Sequence, residues 1–257
     1  EGYVAEQLEV VDPQRIHAVR EALRGQLAHA LRDEWRLTFE ENADTGGYSP
    51  DAVSSGRRAL ANLALSQLVL EGTRTGDPVW PGRAYQRCKD ATNMTDRLGA
   101  LQALVFAHAD LAEPALQRFR EQFAGEALVI DKWFALQAAA PESGGRVFAR
   151  IKALTMHPDF TLRNPNRARS LLATLIYQNP AALHRQDAAG YVFWADKVVE
   201  IDAFNPQLAA RTARGLDRWR NLAEPYRSAA REALARVDAK NDLSPDVREI
   251  VSRALAE

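Results

Sequence analysis

The sequence predicts an all-α protein, an irregular HEAT- or armadillo-like stack of antiparallel helix pairs, an α-α superhelix. Three observations carry that expectation. Apolar residues recur at three- and four-residue steps along most of the chain, and alternating strand patterns are scarce. Proline-led punctuation is regular, with Asn164-Pro165, Asn179-Pro180, Asn205-Pro206, Asp77-Pro78, Glu224-Pro225 and Ser244-Pro245 marking starts or stops. The helical stretches run to roughly 10–20 residues between short polar loops, as in stacked helix pairs. No strict repeat signature is visible, so periodicity alone leaves an irregular solenoid and a compact irregular bundle both open.

Taken in order, the first strong helix starts at Asp12-Pro13, an N-cap followed by proline at the first helical position. Ile16, Val19, Leu23, Leu27, Leu31 and Trp35 then form one apolar stripe, with Arg20, Glu21, Arg24 and Glu34 largely off it. The run from Asn42 through Asp44 and Thr45 to Gly47 reads as a loop. Ser49-Pro50 restarts a helix carrying Val53, Leu60, Leu63, Leu65, Leu68 and Leu70 up to Gly72, a density of leucine that predicts burial on more than one side. After a second loop, helices are expected over 81–91 and from Thr95, a candidate N-cap, through Leu98, Leu101, Leu104 and Val105. Further helices are expected over 113–123, 128–140, 145–156, 165–177, 188–201, 206–222, 225–237 and 245–255.

Composition narrows the function classes. With 257 residues, 46% hydrophobic and 26% charged, the chain is neither disordered nor fibrous. Its length permits one large domain or two small ones. Thirty-three basic against 34 acidic residues leave a net charge of −1, without the bulk field of a dedicated nucleic-acid binder. Cys88 is the single cysteine, so no intrachain disulfide forms, which fits a reducing compartment. No apolar run approaches the ~20 residues of a membrane span. The first residue is Glu1 and no signal-peptide pattern follows, so the chain reads as an excised or processed piece.

The catalytic search is mostly negative. His17, His29, His108, His157 and His184 include no pair at the i, i+4 spacing of two zinc ligands on one helix face. There is no G-x-S-x-G elbow, phosphate loop or dinucleotide fingerprint. Carboxylates such as Asp187 and Asp196, or Glu40 and Glu41, are expected at a solvated surface. Cys88 and the aromatic residues Trp80, Trp133, Phe134, Trp194 and Trp219 are expected to pack the core. Asn93-Met94-Thr95 matches the glycosylation pattern but is expected to open a helix. Arginine offers more. Arg163, Arg167 and Arg169 surround Asn164-Pro165-Asn166, and Gln207, Arg211, Arg214 and Arg218 share one face of the expected 206–222 helix. Guanidinium groups clamp carboxylates bidentately, so that face can meet an anionic or peptide ligand, although an ion-paired, solvated face is the plainer reading.

Five stretches, taken together in order and spacing, resemble the C-terminal domain of the bacterial zinc aminopeptidase N (alanyl aminopeptidase) family. They are Asn93-Met94-Thr95-Asp96, Asp131-Lys132-Trp133-Phe134, Asn164-Pro165-Asn166-Arg167-Ala168-Arg169, Asn179-Pro180-Ala181-Ala182 and Asn205-Pro206-Gln207-Leu208-Ala209-Ala210-Arg211. The resemblance runs from about Val10 to the end and departs most around residues 44–53 and 72–82, onto which no site is carried. It implies that residues 1–257 are a single helical C-terminal domain of a larger cytoplasmic enzyme. In that family an upstream domain holds the H-E-x-x-H helix, the one zinc ion and the loop that grips the substrate amine, and none of those motifs occurs here. The resemblance therefore implies no catalytic residue, metal or cofactor in this chain, which is expected to be inactive alone. Its implied partners are the catalytic domain of the same polypeptide and small peptides, with neither nucleic acid nor membrane. It further implies that Arg169, Gln207 and Arg211 face an enclosed substrate cavity. Two other readings of the residues are a freestanding helical scaffold binding a protein partner, motivated by the solenoid pattern alone, and an autonomous enzyme with a cryptic site, for which no constellation is legible.

Overall fold

The computed structural model describes residues 1–43 and 46–256. Of the expected loop after Asn42, Asp44 and Thr45 lie outside the described residues. The described residues form helices and turns without a strand, apart from one isolated parallel bridge between Val11 and Leu222. The helices are α1 (Gly2–Glu6), α2 (Pro13–Ala30), α3 (Arg32–Asn42), α4 (Ala52–Thr75), α5 (Val79–Asp90), α6 (Met94–Phe106), α7 (Ala112–Gln122), α8 (Ala127–Ala138), α9 (Arg146–Leu154), α10 (Pro165–Gln178), α11 (Pro180–Leu183), α12 (Ala189–Asp202), α13 (Pro206–Ala213), α14 (Tyr226–Asp238) and α15 (Pro245–Ala256). The chain clusters into two compact units, Arg20–Leu136 and, separately, Glu1–Val19 with the chain from Gln137 onward.

In the Arg20–Leu136 unit, α4 is the central helix and packs on α3, α5 and α6. Asp51 caps it by accepting the Ser54 N–H at 3.0 Å, and Gly76 (φ 75°) stops it in the left-handed region that favours glycine. Its C-terminal half, including Leu65, Leu68, Val69 and Leu70, is buried on several sides as the leucine density predicts. The start of α6 differs from expectation: Asn93, not Thr95, is the N-cap, and it accepts the Asp96 N–H at 2.9 Å. Trp133 and Phe134 are buried, and the Trp133 indole donates to the Leu116 carbonyl at 2.9 Å.

The continuous stripe expected from Ile16 to Trp35 is overturned twice. The helix breaks at Leu31, and Val19, Leu23, Leu27 and Leu31 are 62, 53, 43 and 37% exposed. Arg74 of α4 meets α2 at Gly25, where its guanidinium lies so near that an added Cβ would come within 1.2 Å of Nη1. Gly25 and Ala28 are the buried residues of this stretch of α2, and the leucines lie on its exposed side. His29 is itself exposed, and its Nδ1 lies 2.7 Å from Oε1 of the buried Glu71.

In the other unit, α12 supplies the largest buried side chains, Trp194 and Tyr191. It packs on α13 and α14, and α15 closes on both. Indole hydrogen bonds tie turns to neighbours: Trp194 Nε1 donates to the Thr212 carbonyl at 2.9 Å and Trp219 Nε1 to Ala254 at 3.0 Å. Asn179 caps α11 and donates through Nδ2 to the carbonyls of Ala138 (2.8 Å) and Ala140 (2.7 Å). Gly190 sits where a Cβ would fall 1.9 Å from the Leu183 carbonyl oxygen, so α12 begins in backbone contact with α11. The single helix expected over 206–222 is corrected: α13 stops at Ala213, and 3₁₀ turns follow at Arg214–Leu216 and Trp219–Asn221. Glycine at 215 is a poor helix former, and a side chain there would collide with Ile176. The bonds from Val11 N–H to Asn221 and from Ala223 N–H to Val11 then hold the chain extended beyond the second turn.

Replacing Asn179 by alanine strips two buried carbonyls and a helix cap of their partner. Asn179→Ala is expected to lower the unfolding free energy by about 2–4 kcal/mol, measured by urea denaturation; an unchanged midpoint would show that water or backbone relaxation replaces those bonds.

Candidate functional site

Two asparagines position the site. Asn164 accepts the N–H groups of Asn166 and Arg167, fixing the start of α10, and Asn205 accepts that of Leu208 at 3.1 Å, fixing α13. Proline follows each at the first helical position, where its missing N–H costs nothing. With both starts set, Arg169 and Arg211 reach one depression of about 270 Å³, lined also by Ala173, Ile176, Tyr177, Leu208, Thr212 and Arg214.

The structure thus brings together two of the three residues singled out in the sequence and adds Arg214. Gln207 is exposed one turn before Arg211 on α13 and does not line the depression. Arg169 is braced, its Nε donating to the Pro165 carbonyl (3.0 Å) and its Nη2 to Asn166 Oδ1 (2.7 Å). The Arg211 guanidinium is exposed and, among the described residues, makes neither a side-chain hydrogen bond nor an ion pair. Its backbone carbonyl accepts the Tyr177 hydroxyl at 2.9 Å, which pins α13 to α10. Burial raises the Tyr177 phenol above its ordinary range, the Asp217 carboxylate adds to that, and the Arg214 guanidinium opposes it. Tyr177 therefore stays a donor at neutral pH.

The other sequence-selected arginines separate. Arg167 is buried and donates to the Asp159 carbonyl, while Arg163 covers the Phe204 ring at 5.1 Å. Arg218, beyond the break in the expected helix, pairs with Glu6 at 2.9 Å. Tyr177 was missed in the sequence, although one signal was available: it falls off the buried stripe of Ala168, Leu171, Leu172 and Leu175 just before the end of α10.

Ile176 and Tyr177 also line a half-open groove of about 660 Å³ with Val11, Leu216 and Trp219. His184 at its edge hydrogen-bonds the Tyr191 hydroxyl at 2.9 Å, and burial pushes the imidazole down to about 4. Among the described residues, no group of three or more His, Cys, Asp and Glu side chains could hold a metal ion. Asp187 pairs with Arg185 and Asp196 with Arg236, so these carboxylates sit in ion pairs. Cys88 is buried, and burial pushes its thiol up to about 11, so it is no nucleophile at neutral pH. The geometry offers an arginine-lined anion site beside an apolar groove.

A family model described as "Domain of unknown function (DUF3458_C) ARM repeats" matches residues 1–256. The chain belongs to this ARM-repeat family. It is 39% identical over 249 residues to aminopeptidase N of Caulobacter vibrioides, covering 96% of this chain and 28% of that protein. To aminopeptidase N of Escherichia coli it is 33% identical over 253 residues, covering 98% and 28%. The chain thus spans little more than a quarter of these relatives and corresponds to their C-terminal part. A crystal structure of Legionella pneumophila aminopeptidase A in complex with aspartic acid superposes with a TM-score of 0.86 over 98% of this chain and 30% of that one; at 24% identity it shows the fold. The ARM-repeat stack expected from the helical periodicity is the architecture found. No helix among the described residues is long and apolar enough to cross a membrane.

The depressed His184 gives this ARM-repeat chain a pH dependence with a defined sign. The unfolded imidazole titrates near its ordinary 6.5, so between there and about 4 the unfolded state binds more protons and stability rises with pH. Acidification from pH 7 to 4 is expected to remove about 3 kcal/mol through this group. Denaturation curves at several pH values should show His184→Gln losing that part of the slope; an identical slope in both proteins would refute the assignment.

Proposed function

We propose that this ARM-repeat segment caps the active site of a zinc-dependent aminopeptidase N and helps limit and position the short peptides from which N-terminal residues are removed. On this reading residues 1–257 form one helical domain of a cytoplasmic enzyme, and the single zinc ion belongs to a catalytic domain elsewhere in the same polypeptide. This chain alone is inactive. The observation that carries the proposal is the convergence of Arg169, Arg211 and Arg214 on one depression, with the Arg211 guanidinium unspent on any protein carboxylate.

The chemistry follows from that arrangement. A carboxylate or a backbone carbonyl beyond the scissile bond finds Arg211 able to offer charge-assisted hydrogen bonds, Arg169 held in place by its own helix, and Gln207 one turn away as a neutral donor and acceptor. The adjoining apolar groove suits side chains of the same peptide. Binding of this kind acts on positioning, while bond cleavage stays with the zinc-bearing domain.

In the full-length enzyme, Arg211→Ala is expected to lower kcat/KM on di- to tetrapeptides about ten-fold. Gln207→Ala should have a smaller effect, and zinc content should be unchanged. Hydrolysis of a single-residue anilide, which reaches no further than the scissile bond, should move less than peptide hydrolysis. Wild-type kinetics across all peptide lengths would overturn the assignment of these residues.

A further inference from the structure

The leucine row on α2 is the largest mismatch between this molecule's sequence and its surface. Leu23 and Leu27 are 53 and 43% exposed and lie four residues apart on one face of α2, and Leu31, 37% exposed, follows them at the break between α2 and α3. The buried residues of this stretch are instead Gly25 and Ala28, while the exposed His29 reaches Glu71 of α4. Along Arg20–Ala30 the large apolar residues therefore lie on the exposed side and the small ones on the buried side. The neighbouring α3 has no buried residue, and its Trp35, half-buried, donates through Nε1 to the Leu27 carbonyl at 3.1 Å. Beside the row, Arg24 and Arg20 both pair with Glu21, at 2.7 and 3.2 Å.

We infer that Leu23, Leu27 and Leu31 form the stacking face for a preceding helical repeat, an amphipathic helix from the part of the polypeptide that lies upstream of this region in its relatives. Two findings name that occupant. ARM repeats contact only their sequence neighbours, and a terminal repeat carries a polar outer face; α2 presents leucines instead. The chain covers only 28% of each aminopeptidase N it matches, at the C-terminal end, so the relatives carry upstream polypeptide to supply the helix. A row at every fourth residue is also the ridge that a packed helix receives between its own side chains. The inference rests on the family membership and not on peptide handling, so kinetic failure of the arginine assignment leaves it standing.

The test uses the full-length polypeptide encoded by the gene and, beside it, the 257-residue chain. A photo-reactive phenylalanine analogue is placed at position 27, or at the exposed Ala22 off the row as a control. Position 27 is expected to cross-link within the same polypeptide to apolar residues spaced three or four apart, inside about 90 residues upstream of Glu1, two repeat lengths. Leu27→Cys should react with a maleimide about ten-fold more slowly in the full-length protein than in the short chain, with buried Cys88 as slow background. Ala22→Cys should differ far less between the two. Cross-links to a more distant upstream region, cross-links between two copies, or equal maleimide rates in the two proteins would each overturn the inference, as would a gene encoding nothing upstream.

Discussion

Helix starts govern this molecule more than helix interiors do. At Asn164, Asn179 and Asn205 a side-chain carbonyl takes over backbone N–H groups that the first turn leaves orphaned, and the proline behind each removes one donor and fixes the backbone angle. A helix whose first residue is fixed has its whole angular phase fixed. Arg169 lies one turn into α10 and Arg211 one turn into α13, so their meeting follows from where two asparagines stand. Tyr177 then joins the far end of α10 to α13, and the two helices hold the arginine-lined depression between them.

The packing follows the same economy of small residues at contact points. Gly25 admits Arg74, Gly190 admits the Leu183 carbonyl, and Gly215 admits Ile176. At Gly190 and Gly215 a Cβ would meet backbone or a neighbouring helix's side chain, and cores tolerate such overpacking poorly. Between these contacts the indole N–H groups of Trp133, Trp194 and Trp219 reach backbone carbonyls of neighbouring helices. The result is a stack held by many local pairings, the arrangement an ARM-repeat family uses, and Cys88, the single cysteine, leaves no intrachain disulfide to help.

The sequence made the all-helical class, most helix positions and the burial of the tryptophans legible, because caps and periodicity are local signals. It failed where tertiary contact overrode pattern. The α2 leucines form a sound amphipathic stripe, yet the direction a stripe faces depends on which neighbours surround the helix, and periodicity carries no record of them. The 206–222 helix broke because the contact between Gly215 and Ile176 is invisible in one dimension. Arg169 and Arg211 were singled out through resemblance, whereas their convergence on one depression, the braced state of Arg169 and the place of Tyr177 beside them depended on geometry. Arg167 shows the reverse case, a motif arginine that the fold consumes as a buried link to the Asp159 carbonyl.

The Asn-Pro starts also have a bearing on chemical ageing. Asparagine deamidates mainly when the next residue's backbone nitrogen attacks the side-chain amide, and a proline nitrogen carries no hydrogen with which to complete that ring closure. The residue that pre-shapes each helix start is therefore also the one that shields its cap from slow hydrolysis. At Asn179 this matters most, since conversion to aspartate would turn the Nδ2 donor facing two buried carbonyls into an acceptor facing acceptors. Helix geometry and covalent durability are secured at that position by one dipeptide.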